Sequence, residues 1–131
     1  GYGQDPAGCF ERANKEVVVS VIIEGLEGIK NMEEIIAVPG IDTISIGNAD
    51  LANFLSIPGQ RYHPKVIQAG LEAAELCVKY GKSCSAQVSY PEDALRYKDS
   101  KGITHFHIDD LPPFILRAYK ELCRGLHANS K

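Results

Sequence analysis

The sequence lacks the features that mark several common classes of protein. It has no basic excess: 14 Lys and Arg against 17 Asp and Glu give a net charge of −3, so nothing indicates a nucleic-acid partner. No apolar run approaches the roughly 20 residues of a membrane helix. The N-terminus carries no basic region followed by an apolar one, as a secretory signal would. We therefore expect a cytoplasmic protein with no membrane partner.

The sequence also lacks a C-x-x-C pair, which argues against a zinc knuckle. Its four cysteines are Cys9, Cys77, Cys84 and Cys123. Cys77 falls on the apolar side of a helical pattern and Cys84 in a strand pattern, where a free thiol packs as a small hydrophobic group. We expect reduced packing residues, as in a cytosolic protein. The first residue is not Met, so we expect either a processed chain or part of a longer one.

What is present is an alternation of strand-like and helix-like stretches. Short β-branched or apolar runs predict four strands, at 16–23, 41–46, 83–88 and 103–108. Apolar residues at helical spacing predict helices over 28–38, 51–55, 64–80, 90–100 and 111–126. In the last helix we expect four residues to face inward, namely Leu111, Ile115, Ala118 and Leu122.

This order of elements predicts an α/β fold built from four βα units. Consecutive βα units imply parallel strands joined by right-handed crossovers. Two architectures remain open at this point, a small open sheet and half of a (β/α)8 TIM barrel, since a full barrel needs around 250 residues. We predict one partial-barrel domain over 1–131, with a lead-in over 1–15, the four units over 16–126 and a tail over 127–131.

Acidic residues follow the predicted strand ends, where functional groups collect in parallel α/β folds. Glu24 ends the first strand, and Asp50 lies three residues beyond the Gly47 that ends the second. Two neighbouring carboxylates repel each other, which raises a pKa or favours a bound cation. Oxygen ligands suit Mg²⁺ or Mn²⁺, and such an ion stabilises the enolate of a 2-oxo acid. Among the arginines, we expect only Arg61 near this edge.

Simpler interpretations of the two acids stay open on spacing alone. Glu24 is equally compatible with a first-turn acid favoured by the helix dipole. Asp50 has the position of an N-cap for the short helix that follows it. Neither interpretation requires a metal ion.

Other polar residues near strand ends have ordinary explanations. His105 and His107 share one face of the fourth strand, and metal ligation by such a pair is less common than a hydrogen-bonded or exposed role. Asp109 and Asp110 have the pattern of helix capping. His63 precedes a proline, as expected of a residue that opens a helix.

Several motifs resemble the hydroxy-oxo-acid aldolases, the HpcH/HpaI aldolase and citrate lyase β-subunit group within the phosphoenolpyruvate/pyruvate barrel superfamily. The most specific part of this resemblance is a Glu at a strand end, Glu24, followed 26 residues later by Asp50 in an I-G-x-x-D-L loop. The similar stretches are V-I-I-E-G-L-E-G-I-K-N at 21–31, G-I-D at 40–42, I-G-N-A-D-L at 46–51 and H-P at 63–64. The resemblance spans about 1–125 and implies the C-terminal half of the barrel.

The resemblance implies a site as well as a fold. Glu24 and Asp50 would hold Mg²⁺ or Mn²⁺, and the backbone N–H groups of Gly47, Asn48, Ala49 and Asp50 would receive the carboxylate of a 2-oxo acid such as pyruvate. The family usually carries Pro where this chain has Asn48. The fourth strand, I-T-H-F-H-I-D-D at 103–110, replaces a more apolar, glycine-bearing end in relatives.

The resemblance implies a metal-dependent C–C lyase, a class II aldolase that works through a pyruvate enolate. The catalytic His and enolate-stabilising Arg of the family belong to the other half of the barrel, and no residue here matches them. An enzyme would therefore need another half-barrel chain, a covalent continuation or a homo-oligomer. Two alternatives remain: a non-catalytic half-barrel that serves as an assembly subunit, and a diverged half-barrel that uses an enolate for another reaction.

Overall fold

The computed structural model describes residues 5–108 and 111–128. The described strands are β1 (Ser20–Ile23), β2 (Thr43–Ile46), β3 (Ser83–Val88) and β4 (Ile103–Ile108). The described α-helices are α1 (Pro6–Glu16), α2 (Leu26–Lys30), α3 (Met32–Ala37), α4 (Asn48–Phe54), α5 (Pro64–Lys79) and α6 (Leu111–Ala128). A 3₁₀ helix, Pro91–Tyr97, links β3 to β4. None of these helices is both long enough and apolar enough to cross a membrane.

The four strands form one parallel sheet in the order β1-β2-β3-β4. Each strand pairs with the next one in the chain, and a crossover carrying at least one helix separates them. The predicted α/β fold of four βα units is therefore confirmed. Because all four strands run the same way, their carboxyl ends lie along a single edge of the sheet.

The core lies between one face of this sheet and the helices α3 and α5. Side chains of Ile44 and Cys84 from the strands meet Ile36, Val66 and Cys77 from the helices, and all five are fully buried. Close packing of this kind supplies most of the apolar burial that stabilises an α/β layer. The prediction that Cys77 and Cys84 are free packing residues is confirmed, whereas Cys9 and Cys123 are exposed.

The opposite face of the sheet, called the inner face below, carries polar side chains. Strand residues alternate between faces, so the neighbours of the core residues Ile44 and Cys84 point to this side. Thr43 and Ser45 of β2 and Ser85 of β3 are the buried members of this set.

The first predicted strand is wrong at its start. Residues 16–23 were predicted as one strand, but Glu16 is the last residue of α1 and β1 begins only at Ser20. The helix α1 starts where Asp5 accepts a hydrogen bond from the backbone N–H of Gly8 at 3.0 Å. Consecutive β-branched residues satisfy a strand pattern whether or not a partner strand reaches them, so the pattern overestimates the paired length.

Three helix predictions are wrong in their bounds. The helix predicted over 28–38 is divided at Asn31 into α2 and α3. The helix predicted over 51–55 begins three residues earlier, at Asn48. The segment predicted as a helix over 90–100 is the shorter 3₁₀ helix Pro91–Tyr97. Helix ends depend on local hydrogen bonds that an apolar periodicity does not encode.

The closing helix α6 is present, but its predicted inward face is not buried. Leu111, Ile115, Ala118 and Leu122 are all exposed, with Leu111 at 67% and Leu122 at 60% of their full accessibility. Periodicity shows that a helix has an apolar face without showing which element covers it. The capping predicted for Asp109 and Asp110 lies outside the described residues.

Candidate active site at the carboxyl edge of the sheet

Glu24 follows β1 directly and its side chain lies against Gly47. A Cβ atom at position 47 would stand 2.6 Å from both Cβ and Oε2 of Glu24, far inside any real contact. The backbone N–H of Gly47 donates to the carbonyl of Ile23 at 2.9 Å, which extends the pairing of β1 with β2 by one residue. A glycine at 47 therefore allows the carboxylate of Glu24 to lie on the backbone where β2 ends.

Asp50 lies in the first turn of α4, the helix that follows Gly47. Gly47 is the N-cap of this helix, and its carbonyl accepts the N–H of Leu51 at 2.8 Å. No side chain of the described residues caps α4. The first N–H groups of a helix have no partner within the helix, so those of Asn48, Ala49 and Asp50 favour an anion.

The simpler interpretations of the two acids are wrong in this fold. Glu24 precedes Gly25, the N-cap of α2, so it is not a first-turn acid; Glu27 has that position. Asp50 is the third residue of α4 rather than its N-cap.

Glu24 and Asp50 both carry carboxylate oxygens, the donor type that a hard divalent ion prefers. Neither Glu24 nor Asp50 makes a hydrogen bond or ion pair with another residue in the ranges 5–108 and 111–128. No group of three or more acidic, histidine or cysteine ligands occurs in that part of the chain. Mg²⁺ and Mn²⁺ are bound by one or two carboxylates and complete their octahedron with water and substrate oxygens, so two protein ligands suffice.

Asn48, the first residue of α4, is buried in this edge at 3% exposure. Its amide nitrogen has no hydrogen-bond partner among the described residues, although its side chain lies near the phenol of Tyr97. Burial raises the pKa of Tyr97, an effect that Asn48 partly offsets. A buried donor without a partner costs stability, and this one lies on the residue that follows Gly47.

A separate network of hydrogen bonds follows the end of β3. The carboxylate of Asp93 accepts the hydroxyl of Tyr62 at 2.8 Å and the backbone N–H groups of Ser89 and Tyr90, each at 3.1 Å. Asp93 is only 6% exposed, and this burial alone would raise its pKa. The three hydrogen bonds, together with the nearby positive charge of Arg96, outweigh burial and hold the pKa of Asp93 below its usual value.

Arginine side chains surround the same network. Arg61 donates to the hydroxyl of Ser89, which confirms that Arg61 lies near the carboxyl edge. The prediction that no other arginine does so is wrong. Arg96 lies 4.8 Å from the ring centre of Tyr62, and Arg117 donates to the carbonyl of Ser89 at 3.3 Å. Arg96 lies on the 3₁₀ helix and Arg117 on α6, so the fold brings both side chains to the end of β3.

Comparison with known proteins identifies the family. Residues 3–102 match the HpcH/HpaI aldolase/citrate lyase family. The chain belongs to this family. Its curated relatives include a 5-keto-4-deoxy-D-glucarate aldolase of Salmonella paratyphi C, 35% identical over 88 residues, which are 67% of this chain and 34% of the relative. A hydroxypyruvate/pyruvate aldolase of Sagittula stellata is 41% identical over 75 residues, 57% of this chain and 30% of the relative.

Solved structures of HpcH/HpaI relatives show the same fold. The citrate synthase SbnG has a TM-score of 0.78 at 26% identity, and the match covers 98% of this chain and 53% of SbnG. A family protein from Burkholderia cenocepacia has the same TM-score and identity, with 95% and 47% covered. The chain thus spans about a third of these curated relatives and about half of these solved structures. Its four βα units correspond to half of the (β/α)8 barrel of the HpcH/HpaI family.

The histidine predictions have mixed outcomes in this HpcH/HpaI fold. His63 is the N-cap of α5, as predicted, and its Nδ1 accepts the backbone N–H of Lys65 at 3.2 Å. His105 and His107 lie on the same face of β4, as predicted. His105 Nδ1 is 3.0 Å from the hydroxyl of Thr104. No described group of metal ligands includes either histidine.

No pattern in the sequence predicts that Tyr62, Ser89 and Asp93 belong to one network. Asp93 falls in the segment that was predicted as a helix over 90–100. The signal in the sequence is an acid three residues after Tyr90, a spacing at which a carboxylate can accept backbone N–H groups at a helix start.

Proposed function

We propose that this chain supplies the metal-holding half of an aldolase site that acts on a 2-oxo acid such as pyruvate. Glu24 and Asp50 would be the protein ligands of a Mg²⁺ or Mn²⁺ ion. When bound, the ion supplies Lewis acidity to the substrate's oxygens and so favours the enolate that forms when a C–C bond breaks. The proposed reaction class is carbon–carbon lyase.

The observation that carries the proposal is the seating of Glu24 against Gly47. The glycine leaves room for a carboxylate at the end of β2, one peptide away from the first turn that contains Asp50. A residue with any Cβ at position 47 would displace the side chain of Glu24. Neither acid has a partner among the described residues, so without a bound cation their two carboxylates would repel each other.

The backbone of α4 has the second role in this proposal. The N–H groups of Asn48, Ala49 and Asp50 would receive the substrate carboxylate, as expected at a helix start. Gly47 was predicted to donate its own N–H, but that group already bonds to Ile23, so Gly47 would contribute space.

Metal binding tests the proposal directly. We expect calorimetry to show micromolar Mn²⁺ binding to the full chain, and Glu24→Ala or Asp50→Ala to weaken it at least tenfold, since each variant removes one of two protein ligands. Glu27→Ala is the matched control, because Glu27 is an exposed acid in the first turn of the neighbouring α2. Equal, weak binding in all four proteins would contradict the proposed site.

Catalysis would also require the rest of the barrel. A native mass measurement tests whether the chain assembles with another half-barrel chain or as a homo-oligomer, and a metal-dependent release of pyruvate from a 4-hydroxy-2-oxo acid tests the activity. The exposed apolar residues of α6, together with Ile22 on β1 and Ile108 on β4, favour association. An assembled complex that binds no metal would support the alternative of a non-catalytic assembly subunit.

The free cysteines are consistent with the cytoplasmic location we propose.

A further inference from the structure

Two of the four cysteines lie in the same part of the core, and the proposed metal site makes no use of them. Cys77 is on the last turn of α5 and Cys84 is the second residue of β3. Both side chains are fully buried, and both thiols are free. Two neighbouring thiols can be oxidised to a disulfide, which a single thiol in a core cannot form.

The turn between α5 and β3 brings the two side chains together. The backbone N–H of Lys82 donates to the carbonyl of Cys77 at 2.8 Å, so the chain has returned to the end of α5 two residues before Cys84. Cys84 then points to the helix side of the sheet, where it belongs to the same apolar cluster as Cys77. The two thiols lie within hydrogen-bonding reach of each other, and Cys84 is the donor.

The two thiols differ in acidity, which gives each of them a separate role. The hydrogen bond from Cys84 lowers the pKa of Cys77 more than burial raises it, and the nearby positive charge of Lys82 lowers it further. The same hydrogen bond, together with burial, raises the pKa of Cys84. Cys77 is therefore the thiol that ionises first, and the thiolate is the form of cysteine that reacts with an oxidant.

From this arrangement we propose that Cys77 and Cys84 form a peroxide-sensitive dithiol, which closes to a disulfide between the end of α5 and the start of β3. Because both thiols are fully buried, the oxidant has to reach them through local opening at the end of α5. Hydrogen peroxide is close to water in size, so it needs a smaller opening than a bulky disulfide would. The proposal does not rest on the metal site, since Glu24 and Asp50 lie at the opposite end of the strands.

The proposed oxidation has two balanced steps. The Cys77 thiolate attacks one oxygen of the peroxide and breaks the O–O bond, so Cys77 becomes a sulfenic acid and hydroxide leaves. The sulfur of Cys84 then attacks the sulfur of Cys77 and loses its proton, which forms the S–S bond and releases water. Overall, two thiols are oxidised to one disulfide and one peroxide is reduced to two molecules of water.

Peptide mapping of the full chain tests the proposal. The folded protein is treated with hydrogen peroxide, the remaining thiols are alkylated in denaturant, and the unreduced protein is digested with trypsin. Trypsin cleaves between the two cysteines, after Lys79 and after Lys82, so Cys77 and Cys84 fall in different peptides. We expect mass spectrometry to show these two peptides joined by a disulfide and dithiothreitol to separate them.

Matched serine variants test the role of each thiol. Cys84→Ser keeps a hydroxyl donor for Cys77 but offers no thiol for the second step, so the sulfenic acid should accumulate on Cys77 and react with dimedone added with denaturant. Cys77→Ser should show little labelling of Cys84, because burial still raises the pKa of that thiol. Unchanged far-ultraviolet circular dichroism shows that each variant folds. Equal labelling of the remaining cysteine in the two variants would contradict the assigned roles.

A lysine pair tests the activation of Cys77. Lys82→Met removes the positive charge near Cys77 and should slow disulfide formation by about twofold or more. Lys79→Met is the matched control, because Lys79 pairs with Glu33 at 2.6 Å on the exposed surface. Each variant keeps one tryptic site between the cysteines. Equal rates in the two variants would overturn the assignment of Cys77 as the activated thiol.

Two further results would overturn the proposed dithiol itself. In the first, Cys77 and Cys84 stay reduced in the folded protein while the exposed Cys9 and Cys123 are oxidised, since peroxide has then acted on the protein without oxidising the buried pair. In the second, the joined peptides appear only when the protein is unfolded in urea before oxidation, since the folded core then protects both thiols. Neither result bears on metal binding.

Discussion

The carboxyl ends of β1 and β3 lie at one edge of the same sheet but use their acids in opposite ways. At β3, Asp93 is buried and accepts three hydrogen bonds within 3.1 Å. At β1, Glu24 rests against a glycine and bonds to no other residue in the described part of the chain.

The difference teaches how a stabilising acid is distinguished from one available to a ligand. A carboxylate whose lone pairs are already occupied by backbone N–H and hydroxyl donors rigidifies the chain around it and has little capacity left for a cation. A carboxylate with unoccupied lone pairs beside an uncapped helix start contributes little to stability and remains available to bind. Variants at the end of β3 should therefore change the free energy of unfolding, and variants at the end of β1 should change metal affinity.

The largest expected effect is the loss of stability in Asp93→Ala. The variant removes three hydrogen bonds to a charged, buried acceptor, so we expect the free energy of unfolding to fall by about 3 kcal/mol. Urea unfolding followed by circular dichroism measures it. Metal binding should be retained.

Glu92→Ala provides the control for Asp93→Ala. Glu92 precedes Asp93 in the same 3₁₀ helix but is exposed, so its loss should change stability by less than about 0.5 kcal/mol. An Asp93→Ala protein as stable as Glu92→Ala would show that the network at β3 is not stabilising.

Gly47→Ala should have the next largest effect and, unlike Asp93→Ala, should affect both measurements. The new Cβ would lie 2.6 Å from Glu24 atoms, so the side chain of Glu24 must move, at a cost of about 1–3 kcal/mol in unfolding free energy. Mn²⁺ affinity should fall at least tenfold by calorimetry.

Gly25→Ala is the matched control for Gly47→Ala. Its Cβ would make only an ordinary contact, 3.8 Å from the ring of Phe54. Mn²⁺ affinity equal in the Gly47→Ala and Gly25→Ala proteins would indicate that the position of Glu24 is unimportant for binding.

Acid pH should weaken the β3 end selectively. Because the folded pKa of Asp93 is lowered, its contribution to stability is fully present above the unfolded value of about 3.9 and is lost as pH falls through the lower folded pKa. Unfolding free energies measured between pH 6 and pH 2 should therefore fall more steeply in the wild type than in Asp93→Asn. Equal slopes of unfolding free energy against pH in the two proteins would show that Asp93 does not contribute to acid sensitivity.

The smallest expected effect on stability belongs to Glu24→Gln. The substitution removes a charge that no described residue compensates, so the free energy of unfolding should change by less than about 0.5 kcal/mol. Mn²⁺ binding should nevertheless be lost, since a neutral amide is a poorer ligand for a hard cation. A destabilisation comparable to that of Asp93→Ala would show that Glu24, like Asp93, is a stabilising acid.

Much of the fold was predictable because strands and helices impose different periods on apolar residues. The bounds of β3 and β4 were predicted to the residue, and α5 ends one residue before its predicted end. The errors fall where local hydrogen bonds decide, as at α4, which starts at Asn48 with Gly47 as its N-cap. Propensity is a weak guide to such ends.

The candidate site was only partly predictable for a related reason. Glu24 and Asp50 were found because each follows a strand end and together they match a family motif. The Asp93 network joins residues from the loop before α5, the end of β3 and the 3₁₀ helix, and no periodic pattern connects them. The inner-face position of His107 depends on a single bulged residue, Thr104.

The sequence by itself determined the order of the βα units, the parallel sheet they imply and the two acids at its edge, because apolar periodicity and residue spacing are local properties of the chain. The tertiary structure alone decided that Glu24 lies on Gly47, that Asp93 is saturated with donors and that the histidines of β4 point inward. Those facts depend on register and close approach between segments distant in sequence, where a shift of one residue reverses the result.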